Sequence, residues 1–201
     1  MSSQPSMLFT LEEFLDREVE SPYRHEYKQG RIEMMAGGTH NHSLIQANAS
    51  GELRNVLEDR NCRVHGEALM VYIAAANATT YPDAMVICGP PVYADSRRKN
   101  IVTNPIVIVE VISRSTEKYD RGDKFLKYQL LPSLQEYVLI AQDEPLVELY
   151  RRVDGGDWTK TEYRGLEVSI KLESLAVEIP AGKLFAKVEW DVTEMSIGFD
   201  L

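Results

Sequence analysis

The sequence predicts an α+β protein with a mixed central β-sheet flanked by helices, and three observations lead there. The run Ile106-Val107-Ile108-Val109-Glu110-Val111-Ile112 carries Val and Ile on both faces, the mark of a central strand covered on two sides. Two stretches with apolar residues at helical spacing, about 42–59 and 118–131, lie on either side of it in the chain. Shorter alternating runs bounded by Gly, Pro and Asp add hairpins at both ends. A sheet with helices on its two faces buries such elements most economically.

In order, Thr10-Leu11-Glu12-Glu13 is a capping-box start. Leu11, Phe14 and Leu15 give the following short helix one apolar side before Ser21-Pro22 stops it, and a peripheral lid is expected. Residues 24–27 and 31–35 alternate around Gln29-Gly30 as a hairpin. The helix over 42–59 sets Ile45, Ala49, Leu53 and Val56 on one face and belongs to the core. Residues 62–73 alternate with a break near Gly66, giving one kinked strand or two short ones, and 74–80 read as a small-residue loop. Strands over 83–88 and 104–112 follow, separated by a loop with Gly89-Pro90-Pro91 and the charged run Asp95-Ser96-Arg97-Arg98-Lys99. The helix over 118–131 stops before Pro132. Strands over 136–140, 147–152 and 159–163 come next, the last two joined by Asp154-Gly155-Gly156-Asp157, and the tail to Leu201 has no clear pattern. Without a repeat or long linker, residues 1–201 are expected to form a single domain.

With 31 acidic against 22 basic residues, the formal charge is -9, which excludes a protein that coats nucleic acid over its whole surface. Such a partner would need a local basic patch. The N-terminus lacks the basic, apolar, small-residue order of a leader, and no apolar run approaches the roughly 18 residues of a membrane span. A soluble, cytoplasmic protein with no membrane partner is expected. Cys62 and Cys88 share no metal-type spacing and read as reduced core thiols.

Along a strand Glu110 shares its face with Ile106, Ile108 and Ile112. An ionised carboxylate in that setting must be protonated, salt-bridged or bound to a metal, and the metal is the preferred expectation. Asp83 opens its own strand after Tyr81-Pro82, at an end suited to face a cleft. Two carboxylates on neighbouring strands can chelate one hard divalent ion, and Mg²⁺ suits them, with Mn²⁺ as a substitute. Asp120, Lys124 and Tyr128 fall at i, i+4 and i+8 along one line of the second long helix, and Lys127 shares the side of Lys124. From there a lysine can bring positive charge to a water or phosphate at the strand ends; read alone, Lys124 would pair with Asp120 on a solvated surface. His42 heads the first long helix, where its ring faces the cleft or serves as a cap.

These residues resemble the PD-(D/E)XK nuclease superfamily and, more closely, the Uma-two family of restriction endonucleases. The resemblance rests on Tyr81-Pro82-Asp83, on Val109-Glu110-Val111-Ile112-Ser113 with Ser115-Thr116, and on 119–125 through Tyr128. It continues in 132–137 and, more weakly, in His25-Glu26-Tyr27, Gly30 and 35–42, covering about 8–190. It implies a restriction-endonuclease-like fold in which Asp83 and Glu110 bind Mg²⁺, with the Val111 carbonyl as a further ligand and Glu26 as a third carboxylate. The superfamily's usual lysine stands two residues after the Glu, where this chain has Ile112, so the resemblance assigns that role to Lys124.

Arg97, Arg98 and Lys99, with Arg114, Lys118, Arg121, Lys124 and Lys127, are the notable basic clusters, and they flank the proposed cleft in sequence. A phosphate backbone could dock there, with Arg121, Lys127 and Glu26 as substrate contacts. The expected activity is Mg²⁺-dependent hydrolysis of a phosphodiester by an endodeoxyribonuclease. Catalysis would fall to Asp83, Glu110, Lys124 and His42. The rivals are an inactive nuclease-fold module that binds DNA or protein, and an enzyme for a small phosphorylated molecule. The C-terminal strands offer a homodimer interface that would set two clefts side by side.

Overall fold

The computed structural model describes residues 8–35 and 37–190. Its central sheet has six strands: β3 (Cys62–Gly66), β6 (Ala84–Cys88), β9 (Val107–Ile112), β10 (Glu136–Ala141), β11 (Leu146–Arg152) and β12 (Trp158–Arg164). They lie in the order β12-β11-β10-β9-β6-β3. β9 and β10 run parallel while every other neighbour is antiparallel, so the sheet is mixed as expected.

The faces of β9 divide as its alternation requires. Val107, Val109 and Val111 join Ile45, Ala49 and Leu53 of α2 (His40–Val56), while Ile108 and Ile112 pack on the other face with Phe125, Tyr128 and Leu131. The second layer is helical from Glu117 to Tyr128 in three pieces: α3 (Glu117–Tyr119), a wide π-type turn (Asp120–Lys124) and α4 (Phe125–Tyr128). The single helix expected over 118–131 is thus interrupted, with Gly122 at φ -106°, ψ -105° inside the wide turn. Turns of this kind recur at functional sites.

A second six-stranded sheet departs from the sequence expectation. It orders β2 (Arg31–Met34), β1 (His25–Lys28), β5 (Ala78–Thr80), β4 (Met70–Ile73), β8 (Arg98–Val102) and β7 (Tyr93–Asp95). Residues 78–80 are therefore a strand rather than loop, and the charged run 95–99 is the tip of a hairpin. The 62–73 stretch forms two strands, β3 and β4, that belong to different sheets. Gln29 and Gly30, both at positive φ, make the expected β1–β2 turn.

The first helix, α1 (Leu11–Glu20), starts with the expected capping box but is not a peripheral lid. Phe14 is fully buried against Tyr27, with ring centroids 5.4 Å apart, and packs with Met70, Tyr81 and Ile101. Burying that one ring contributes about 2–3 kcal/mol, so α1 is part of the core beneath the second sheet. Arg97 and Arg98 are tied to Asp95 and to Glu12 and Asp16 of α1, so their charges are partly matched within the chain.

Cys62 and Cys88 stand directly opposite each other in the β3–β6 register and form a disulfide, correcting the reading of two reduced thiols. The pairing follows from strand register, which cysteine spacing does not encode. Disulfides persist in oxidising surroundings, so the cysteines lend no support to a cytoplasmic location. Residues 169–184 form the hairpin β13 (Ser169–Leu172) and β14 (Val177–Pro180), then α5 (Ala181–Leu184). Their Ile170, Leu172, Ile179 and Leu184 are buried in this chain's own core beside α2, which leaves those side chains unavailable to a partner subunit. Among the described residues, no helix is long and apolar enough to cross a membrane.

Candidate active site

The site lies where β6 and β9 part. Their ladder ends at the pair Ala84 and Val109, and β9 runs on to Ile112. Asp83, one residue before β6, fills the gap: its Oδ2 accepts the Val111 N–H at 2.7 Å, and its Oδ1 lies 3.0 Å from His42 Nε2. The Val111 carbonyl points to the same side as its N–H, because the next carbonyl, Ile112, accepts Gln142 N–H on the opposite side. Acceptance of the His42 ring N–H by the Asp83 carboxylate draws the His42 pKa upward, with burial opposing.

Glu110 is buried, and its Oε1 receives both the Lys124 ammonium at 2.8 Å and the Tyr128 hydroxyl at 2.7 Å. Glu110 is among the residues that line the cleft. Of the alternatives for a carboxylate in this strand, the structure displays the salt bridge. Burial pushes the Glu110 carboxyl up to about 8, Lys124 pulling it down and Asp83 and Asp120 adding to the rise. Burial also opposes the Lys124 charge, but Glu110, Asp120 and Glu26 outweigh it and hold the ammonium's pKa above its ordinary value. Asp120 lies 3.4 Å from Lys124, so the predicted pair exists, but in the interior rather than on a solvated surface.

Glu26, on β1, comes into the same cleft. Its Oε1 accepts from Thr80, and its Oε2 meets Lys28 at 3.0 Å and the Tyr119 hydroxyl at 3.1 Å. Burial alone would raise its pKa; Lys124, Lys28 and Thr80 reverse that and lower it. Thr80 also lies 3.3 Å from Tyr128, so one buried polar chain links Glu26 to Glu110.

Asp83, Glu110, Val111, Lys124, His42 and Glu26 thus line one cleft of about 590 Å³. Arg121 does not join them. It is bound to Glu148, 2.6 Å from Nε, and to Glu117, which corrects its candidacy as a substrate contact. Lys127 stands beside the cleft, 5.4 Å from the Tyr119 ring centre. Ile112 is buried in the core and offers no charge, as the altered motif requires. Asp120 and Tyr128 join the site along the helical line that the sequence marks with Lys124, whereas Tyr119, Thr80 and Lys28 are additions from the structure. Strand alternation from Glu26 could have found Lys28. Among the described residues, no three acidic, Cys or His side chains enclose an ion by themselves.

A crystal structure of "a putative nuclease belonging to DUF820" from Anabaena variabilis shares this fold, with a TM-score of 0.70, 22% identity, and 89% of this chain and 98% of that one covered. The fold is restriction-endonuclease-like. "Uncharacterized protein slr1290" of Synechocystis is 33% identical over 183 residues, covering 91% of this chain and 94% of its own length. "Uncharacterized protein sll1609" of the same organism is 34% identical over 170 residues, covering 85% and 96%. Residues 11–182 match the family Uma2, described as "Putative restriction endonuclease", and that span takes in Asp83, Glu110 and Lys124. The chain belongs to the Uma2 family of restriction-endonuclease-like nucleases.

Proposed function

We propose that this protein is a Mg²⁺-dependent endonuclease that hydrolyses DNA phosphodiesters at the Asp83–Glu110 cleft. The carrying observation is the convergence of Asp83, Glu110 and Lys124 from two strands and a helix on one cleft. The donor set fits the ion. The carboxylates of Asp83 and Glu110 and the Val111 carbonyl are hard oxygens, and two carboxylates with waters completing the shell suit Mg²⁺, or Mn²⁺ in its place. When bound, the ion lowers the pKa of a water and stabilises charge on the phosphoryl oxygens.

The chain's own residues supply the rest. Lys124 steadies Glu110 and adds positive charge where the transition state gathers negative charge. His42 holds Asp83 Oδ1 and presents its ring to the cleft for a substrate phosphate. In the net step the water oxygen bonds to phosphorus, one P–O ester bond breaks, and a proton ends on the leaving oxygen.

Asp83→Ala would remove the acceptor that holds the Val111 N–H, so Asp83→Asn is the cleaner probe: it retains an oxygen acceptor and drops the charge. The variant is expected to melt within a few degrees of the parent and to lose Mg²⁺-dependent cleavage, and Ca²⁺ is expected to support DNA binding without turnover. Unchanged cleavage by Asp83→Asn removes this reading. An inactive nuclease-fold module instead predicts no difference between parent and Asp83→Asn in a Mg²⁺ titration.

A further inference from the structure

The cleft carries six carboxylates against two ammonium groups, and both of those are engaged: Lys28 with Glu26 and Glu33, Lys124 with Glu110 and Asp120. Farther out, Arg97 and Arg98 are held by Asp95, Glu12 and Asp16. Lys127 lies beside Tyr119 with no carboxylate in ion-pair range among the described residues. Duplex DNA is gripped through many phosphate contacts at once, each releasing counterions, so that affinity falls with salt by about 0.9 log unit per log unit for every phosphate neutralised. This face, on a chain of net charge -9, offers few such contacts.

The cleft floor and its lip point to a different ligand shape. Glu110 and Lys124 are only 3% and 7% exposed, so a phosphate must descend to reach them. Met34, on the edge strand β2, is 65% exposed, and with Met35 and Tyr119 it lines the same cleft. Exposed thioether surface at Met34, with the part-buried Met35 and Tyr119 beside it above an acidic floor, is matched by unstacked bases, which associate with aromatic and apolar side chains without sequence preference. In a duplex those base faces are covered by their neighbours.

We propose that the site takes a single nucleic-acid strand, the scissile phosphate drawn down to Asp83 and Glu110 and the flanking bases resting on Met34, Met35 and Tyr119, with intact duplex a poor substrate. This rests on the hydrolase reading and narrows its substrate.

The test uses the full chain, with circular single-stranded DNA and covalently closed duplex of the same sequence as cleavage substrates. Labelled oligonucleotides, single-stranded and annealed, report binding by fluorescence anisotropy in Ca²⁺. Single-strand cleavage at least about ten-fold faster than duplex cleavage, with the same order in Ca²⁺ affinities, is expected. Met34→Asp should weaken single-strand binding about five-fold or more, in line with the loss of a base contact, at an unchanged melting temperature. Duplex bound or cut as well as single strand, or single-strand binding indifferent to Met34→Asp, overturns the proposal and leaves the hydrolase reading standing. Single-strand preference in Ca²⁺ with no Asp83-dependent cleavage of any polymer overturns the hydrolase reading instead.

Discussion

The Lys124 ammonium lies 2.8 Å from Glu110 Oε1, an ion pair between a helix and the central strand with both side chains almost wholly buried. The helix therefore delivers the cation that the strand itself, with Ile112 locked in the core, does not carry.

Breaking that pair leaves a buried carboxylate without its counter-charge. Lys124→Met is expected to cost about 3–5 kcal/mol in denaturant unfolding and to abolish Mg²⁺-dependent cleavage. Adding Glu110→Gln should restore most of the stability and none of the activity. A double variant as unstable as Lys124→Met would show that the pair is not what holds these groups in the interior.

Tyr128 donates its hydroxyl to the same Glu110 oxygen that Lys124 meets, and so helps to fix the carboxylate. Tyr128→Phe keeps the ring in the core and removes one buried donor, at a cost of roughly 1–3 kcal/mol. The Mg²⁺ concentration for half-maximal cleavage should rise several-fold, because Glu110 loses its fixed orientation. An unchanged Mg²⁺ dependence would make the hydroxyl purely structural.

Glu26 has a lowered pKa in the folded chain, so its contribution to stability is fully present above the ordinary carboxylate value of 4.5 and is lost as pH falls through the lowered folded value. Melting temperatures of the parent and Glu26→Gln, followed from pH 7 down to pH 3, should therefore converge at the acid end. A gap that widens on acidification would contradict the sign of this linkage.

The Cys62–Cys88 bond closes a sequence separation of 26 residues. On chain-entropy grounds a loop of that size is worth about 3.5 kcal/mol. The Cys62→Ala/Cys88→Ala protein should stay folded, since five residue pairs still join β3 to β6, but melt several degrees lower. Adding reductant should bring the parent down to the same value. Equal melting points without reductant would mean that the thiols are unbonded in solution.

Much of the site was legible because its signals are local. The alternation 106–112 separates Glu110 from the valines that meet α2, and the spacing 120, 124, 128 gathers Asp120, Lys124 and Tyr128 on one side of a helix. The second sheet was not legible. β5 and β7 are three residues long, too short to show a period, and β5 holds its place through pairing with the distant strand β1. Tyr119 meets Glu26 only once the β1–β2 hairpin lies across α3, a contact between segments about 90 positions apart. Arg121 misled because it is three residues from Lys124, a helical neighbour, yet its guanidinium reaches Glu148 on β11.

The wide turn at Asp120–Lys124 makes chain length as strict a requirement here as chemistry. An α-helix advances about 100° per residue, so a chain shortened by Gly122 would still contain its lysine, tyrosine and aspartate while aiming them at different neighbours. A chain can therefore retain every one of these side chains and still lose their arrangement through one missing residue.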